Sequence, residues 1–137
     1  MILMVCLDDN NSMMFNHRRQ SRDRILREKM LQLTADTTLW MNEFSRRQFG
    51  QTEAAQICTD EDFLLRAEPG QVCLVENLPV QPVADRVEKV VVFRWNRTYP
   101  ADQWLDLDLT QQPWQLFYQE EFAGSSHEKI TMEVYTR

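Results

Sequence analysis

The segment Lys89 to Trp95 (KVVVFRW) constrains this chain more than any other. Consecutive β-branched residues followed by an aromatic suit a pleated strand and disfavour helix. Ile2 to Leu7 (ILMVCL), ended by Asp8 and Asp9, and Val72 to Val75 (VCLV) are continuous apolar runs. Such runs read as strands buried on both faces, so the sheet they form needs cover above and below.

The cover is legible between them. Within Ser21 to Leu33, Leu26, Met30 and Leu33 recur at helical spacing. Ser21 reads as the N-cap, with Asp23 in the first turn, where a negative charge suits the helix dipole. Thr38 to Phe44 reads as a second strand. A short helix over Asp60 to Ala67, capped by Thr59, is stopped by Pro69-Gly70. Asp8 to Gln20 is polar and Asn-rich and reads as a loop. Asn77 to Pro82 holds two prolines and reads as a turn. At the C-terminal end, Trp114, Leu116 and Tyr118 alternate with other positions. Ile130, Met132, Val134 and Tyr135 form a last strand, with the loop Glu121 to Glu128 between the two. Alternating units followed by an antiparallel hairpin predict an α/β mixed sheet with flanking helices, in one domain over 1–137.

Charge narrows the partners. Residues 1–50 carry eight basic and six acidic side chains, and residues 51–137 carry seven basic and fifteen acidic. The acidic second part argues against broad nucleic-acid binding, because phosphate backbones want a basic face. No apolar run approaches the roughly 20 residues of a membrane span. No basic segment precedes the first apolar run, so no signal peptide is expected. Cys6, Cys58 and Cys73 form no CxxC and read as reduced core residues, which suits a cytoplasmic protein.

The order of elements resembles dihydrofolate reductase, and some segments carry the likeness further. ADRVEKVVVFRWNRTYPAD is similar to that family's late long strand and the acidic loop beyond it. WQLFYQEEF with ITMEVYTR is similar to its closing hairpin. ILMVCLDDNNSMMFN is similar to its first strand and mobile loop. The resemblance implies a dihydrofolate-reductase-like mixed sheet with a C-terminal antiparallel hairpin. It also implies NADPH as cofactor, with Asp23 as counterpart of the family's lone catalytic carboxylate.

The departures fall on the chemistry. HRRQSR stands before Asp23 where the family has a Pro-Trp-rich segment. The phosphate-gripping Gly-Arg pair and following hydroxyl are replaced by Asn42, Glu43, Phe44 and Ser45, with Arg46 and Arg47 after them. The Gly-Gly that lets cofactor approach the backbone reads Glu76-Asn77, which puts a side chain and a negative charge there. The MMFN, RRQSRDR and LWMN segments also resemble short proteins that go under the name ribonuclease Z. That zinc hydrolase needs several His and Asp around two metals. With only His17 and His127, this chain does not support that activity, and Asp8-Asp9 with Asn10-Asn11, one adjacent acidic pair, is weak evidence for a hard cation, so no metal site is expected.

What remains is the basic run Arg18, Arg19, Arg22, Arg24 and Arg27 at a helix start, where N–H groups favour anions. Its alternative is a solvated face paired to Asp23 and Glu28. With Asn16, Asn42, Ser45, Arg46 and Asn77, Arg18, Arg19 and Arg22 make a candidate site for a nucleotide, phosphate or carboxylate. Arginines beside Asp23 would lower its pKa, the wrong direction for an acid near neutral pH. Ser125-Ser126-His127 suggests a hydrolase only weakly, since sequence neighbours rarely face each other and no GxSxG elbow is present. The readings are therefore an anion-binding protein on a degenerate scaffold, an NADPH-dependent reductase of a pterin-like substrate, or a homo-oligomeric structural or interaction protein.

Overall fold

The computed structural model describes residues 1–137. It contains strands β1 (Ile2–Leu7), β2 (Ser12–Phe15), β3 (Arg18–Arg19), β4 (Leu39–Met41), β5 (Ile57–Thr59), β6 (Val72–Leu74), β7 (Lys89–Arg94), β8 (Gln103–Trp104), β9 (Gln115–Phe122) and β10 (Ile130–Thr136). Its helices are α1 (Arg24–Leu33), α2 (Glu43–Arg46) and α3 (Phe63–Arg66), with single-turn 3₁₀ segments at Arg47–Phe49 and over Gln81–Arg86.

Seven strands form one sheet in the order β5-β4-β6-β1-β7-β10-β9. The first five are parallel, and β10 and β9 run antiparallel to their neighbours. The apolar runs named first, β1, β6 and β7, lie at its centre. Side-chain alternation along them divides the core in two. Leu3, Val5 and Leu7 with Val90 and Val92 face one side, towards Phe63 and Trp114. Met4 with Val91 and Phe93 faces the other, towards Leu26 and Met30 of α1. No helix is long and apolar enough to cross a membrane.

Several local expectations are corrected. The segment Asp8–Gln20 is not an irregular loop. It contains β2 and β3, a hairpin turning at Asn16 and His17, both with positive φ. β2 also pairs with β8, so three short strands make a second sheet. Helix α1 starts at Arg24, and its N-cap is Asp23, not Ser21. Asp23 has extended φ and ψ, and its carboxylate accepts from the Leu26 N–H. Leu33 does not complete the buried stripe but is 44% exposed. The second strand stops at Met41 because Asn42 turns to cap α2 through the Ser45 N–H. Thr59 ends β5 instead of capping α3. Cys58 is exposed, unlike buried Cys73. Trp114 is buried, but Leu116, Phe117 and Tyr118 all lie exposed on β9, the edge of the sheet.

Candidate functional site

The five parallel strands present their carboxyl ends along one edge, where open α/β sheets usually take ligands. Asn42 follows β4, Glu76 and Asn77 follow β6, and the β2–β3 hairpin follows β1. The fold therefore places Asn16, Arg18, Arg19, Asn42, Ser45 and Asn77 at one end of the sheet. Their contacts show what each is free to do.

Arg19 crosses the cleft. Its Nε donates to Glu76 Oε2 at 3.0 Å and its Nη2 to Glu76 Oε1 at 3.1 Å. Nη2 also donates to the Phe44 carbonyl, and the guanidinium lies over the Phe44 ring, 4.5 Å from its centroid. A two-point arginine–carboxylate pair of this kind is strong and directional. Gln48 Nε2 adds a third bond to Glu76. This pair links the hairpin to β6 and α2. Near it, Cys6 has its thiol pushed well above the ordinary range by burial first and then by Glu76, so it is an inert thiol.

The phosphate-gripping positions are occupied internally. The Glu43 N–H, at the start of α2, donates to Glu61 Oε2 at 2.9 Å. Asn42 uses Oδ1 to cap Ser45 and Nδ2 to reach Asn77 Oδ1 at 3.0 Å. Ser45 is buried, with no partner for its hydroxyl. Arg46 donates to the carbonyls of Gly50 and Thr52. Glu76, Asn77 and Glu61 thus put two carboxylates and a bulky amide where the resemblance implies a pyrophosphate. The residues present do not fit NADP(H) in that pose.

Two cavities remain beside the hairpin. One of about 480 Å³ is lined by Met14, His17, Phe44, Asn77, Asp102 and Gln103. A second, of about 270 Å³, is lined by Phe15, Asn16, Arg18, Arg19, Gln20, Tyr99 and Pro100. The basic run itself is divided. Arg18 and Arg19 lie on the hairpin. Arg22 is exposed in the connection, and its carbonyl accepts from Ser126 Oγ. Arg24 pairs with Glu28 and, with Arg27, lines a separate groove of about 440 Å³ against Phe49 and Thr52. No anion is needed at the start of α1, because Asp23 supplies one.

Asp23 is the most fully bonded carboxylate here. Oδ1 accepts from the Leu26 and Ser125 N–H groups at 3.1 and 3.0 Å. Oδ2 accepts from the Ser126 N–H at 2.9 Å, and lies 3.1 Å from His127 Nδ1 and 3.2 Å from the Ser126 hydroxyl, whose proton goes to the Arg22 carbonyl. Burial alone would raise its pKa. The N–H donors of Ser125, Ser126 and Leu26, with His127, outweigh burial and hold the carboxyl well below the usual range. A group so ionised does not donate a proton near neutral pH, so the expected acid role does not fit its surroundings. Gly124 makes the approach of the hairpin loop feasible: a Cβ there would sit 2.3 Å from Asp23 Oδ2. Sequence reading treated Asp23 and His127 as unrelated, and their 104-residue separation carried no signal of contact.

The mixed sheet, its antiparallel end and the placement of these loops make a dihydrofolate-reductase-like fold, in which the cleft at the carboxyl ends of the strands is spanned by the chain's own Arg19–Glu76 pair. Dihydrofolate reductase from Enterococcus faecalis, solved in complex with NADP(H) and RAB-propyl, superposes with a TM-score of 0.67. The superposition covers 100% of this chain and 96% of that one, at 10% sequence identity. No family model matches the sequence, and no curated protein matches it. The backbone frame is shared while nearly all side chains differ.

Proposed function

We propose that this protein binds a small anion, a phosphate or a carboxylate, in the cavity walled by Arg18 and Arg19. The observation that carries this reading is the lining itself. Arg18, Arg19, Asn16, Gln20 and Tyr99 line about 270 Å³ between them, with Phe15 and Pro100. Arg18 makes no ion pair within the chain, so its charge is available, while Arg19 is held in place by Glu76. The larger cavity beside it has Asp102 as its one carboxylate and no arginine, which disfavours an anion there. Ligand pockets commonly run from about 300 to 1,000 Å³. The smaller cavity therefore suits one phosphate or a short polycarboxylate better than a dinucleotide. The reductase reading loses support for the same reason, since the cleft disfavours NADPH.

The test is the melting temperature in inorganic phosphate, citrate, a nucleoside monophosphate and NADPH. An anion held at a hundred times its dissociation constant stabilises by about 2.7 kcal/mol. Phosphate or citrate is expected to raise the melting temperature, and Arg18→Ala to remove the effect. If no anion shifts the transition, or if Arg18→Ala shifts it as much as the wild type, the proposal fails.

A second reading, self-association, is favoured by the exposed Leu116, Phe117 and Tyr118 on edge strand β9. Unpaired edges with apolar side chains invite pairing with another chain. Light scattering across a concentration series decides it; a monomer throughout would rule it out.

A further inference from the structure

His127 is buried, chain-distant from its partners, and unused by the anion site. Its ring stacks on Trp95, with centroids 4.5 Å apart, which fixes its plane. Nδ1 faces Asp23 Oδ2 at 3.1 Å. An ionised carboxylate can only accept, so Nδ1 carries a proton, and in the neutral imidazole Nε2 then presents its lone pair. At Nε2 stand two hydroxyls, Ser21 Oγ at 3.0 Å and Tyr99 OH at 3.2 Å. Ser21 is half-buried, in the connection from β3 to α1, directly after Gln20. Gln20 and Tyr99 both wall the smaller cavity. Carboxylate to Nδ1, and Nε2 to a reachable serine, is the atom order by which an imidazole activates a hydroxyl.

We propose that Ser21 is a nucleophile activated by His127, with Asp23 as the positioning residue, and that the protein hydrolyses small carboxylic esters. Ser21 Oγ attacks the carbonyl carbon while its proton passes to His127 Nε2. The carbonyl π pair moves onto oxygen. The single Nε2 lone pair is taken by the Ser21 proton, which leaves the neighbouring Tyr99 O–H free to donate to the new oxyanion. As the tetrahedral centre collapses, the bond to the alcohol breaks and the Nε2 proton goes to the leaving oxygen. Water then attacks the acyl-Ser21 carbonyl carbon and gives a proton to Nε2; as this second tetrahedral centre collapses, the bond to Ser21 Oγ breaks and the Nε2 proton passes to Oγ, which frees the acid and restores the serine and the neutral imidazole.

The network around Asp23 supports this order beyond the single distance. Three backbone N–H groups, of Leu26, Ser125 and Ser126, fix the carboxylate, and the fixed carboxylate orients His127 Nδ1 before substrate arrives. Ser125 and Ser126 adjoin His127 in sequence but do not stand at Nε2. Ser126 Oγ does reach His127, but at Nδ1, on the Asp23 side. The serine at the working nitrogen comes from over a hundred residues away.

The experiment is a pre-steady-state assay with p-nitrophenyl acetate, with a fluorophosphonate probe and peptide mapping by mass spectrometry in parallel. The expected result is a nitrophenol burst near one equivalent and a phosphonyl adduct on Ser21. Ser21→Ala is expected to abolish both at an unchanged melting temperature, since the side chain is small and half-exposed. Tyr99→Phe is expected to slow acylation by about 10²-fold, the usual loss of one oxyanion donor, while the adduct still forms on Ser21. A folded wild type with neither burst nor adduct overturns the proposal, as does an adduct that persists in Ser21→Ala. The proposal does not rest on the anion site. Acetate ester is neutral, so a burst without a phosphate shift, or a phosphate shift without a burst, tells the two proposals apart.

Discussion

Replacing Asp23 by Asn separates two accounts of this carboxylate. If Asp23 were a helix cap and nothing more, Asn would serve equally well and stability would hardly change. The structure gives it a larger part. Asn can keep Oδ1 and with it the bonds from Leu26 and Ser125. Its Nδ2 would then face the Ser126 N–H and His127 Nδ1, where a carboxylate oxygen now accepts. One charge-assisted acceptor is lost and a donor is left opposed to a donor, a cost of about 2 to 4 kcal/mol. The effect also has a pH signature. The folded pKa is depressed, so the stabilisation is present in full above the unfolded carboxylate value of about 3.9. It is lost as pH falls from there towards the folded pKa. Urea unfolding of wild type and Asp23→Asn at pH 7 and pH 3 measures both. The gap is expected to be about 3 kcal/mol at pH 7 and clearly smaller at pH 3. A gap under about 0.5 kcal/mol at pH 7, or one equal at both pH values, would refute the anchoring role.

Two further changes probe neighbouring contacts. Gly124→Ala places a Cβ 2.3 Å from Asp23 Oδ2 and 2.9 Å from Ile130 Cδ1. Urea unfolding is expected to show a loss of about 1 to 3 kcal/mol, together with slower ester turnover as His127 shifts. Glu76→Gln breaks a pair whose side chains are only 17% and 9% exposed, costing about 1 to 3 kcal/mol. It also leaves Arg19 uncompensated beside the smaller cavity, so phosphate is expected to bind at least about fivefold tighter. Unchanged phosphate affinity, measured by calorimetry, would place the anion elsewhere.

The central strands were legible because their information is local. Unbroken β-branched and apolar runs at Ile2–Leu7, Val72–Val75 and Lys89–Trp95 admit few alternatives, and these segments form the middle of the sheet. The ends of elements were less legible. Whether Ser21 or Asp23 caps α1 depends on which side chain turns back, and that follows from Ser125 and Ser126 pulling on Asp23 from across the chain. The β2–β3 hairpin was hidden because its second strand is two arginines, a poor strand signal in isolation. Arg19 is held there by Glu76 and Phe44.

The sequence by itself determined the kind of sheet and the loss of the glycine-based cofactor motifs, since both are written in residue type and spacing. Only the tertiary structure decided how the polar residues meet. It turned Glu76 from an obstacle into the partner of Arg19, made Asp23 an anchor, and set Ser21 and Tyr99 at His127 Nε2. Contacts spanning up to 106 residues leave no local pattern. They arise when the sheet closes and the hairpin loop is drawn onto the start of α1.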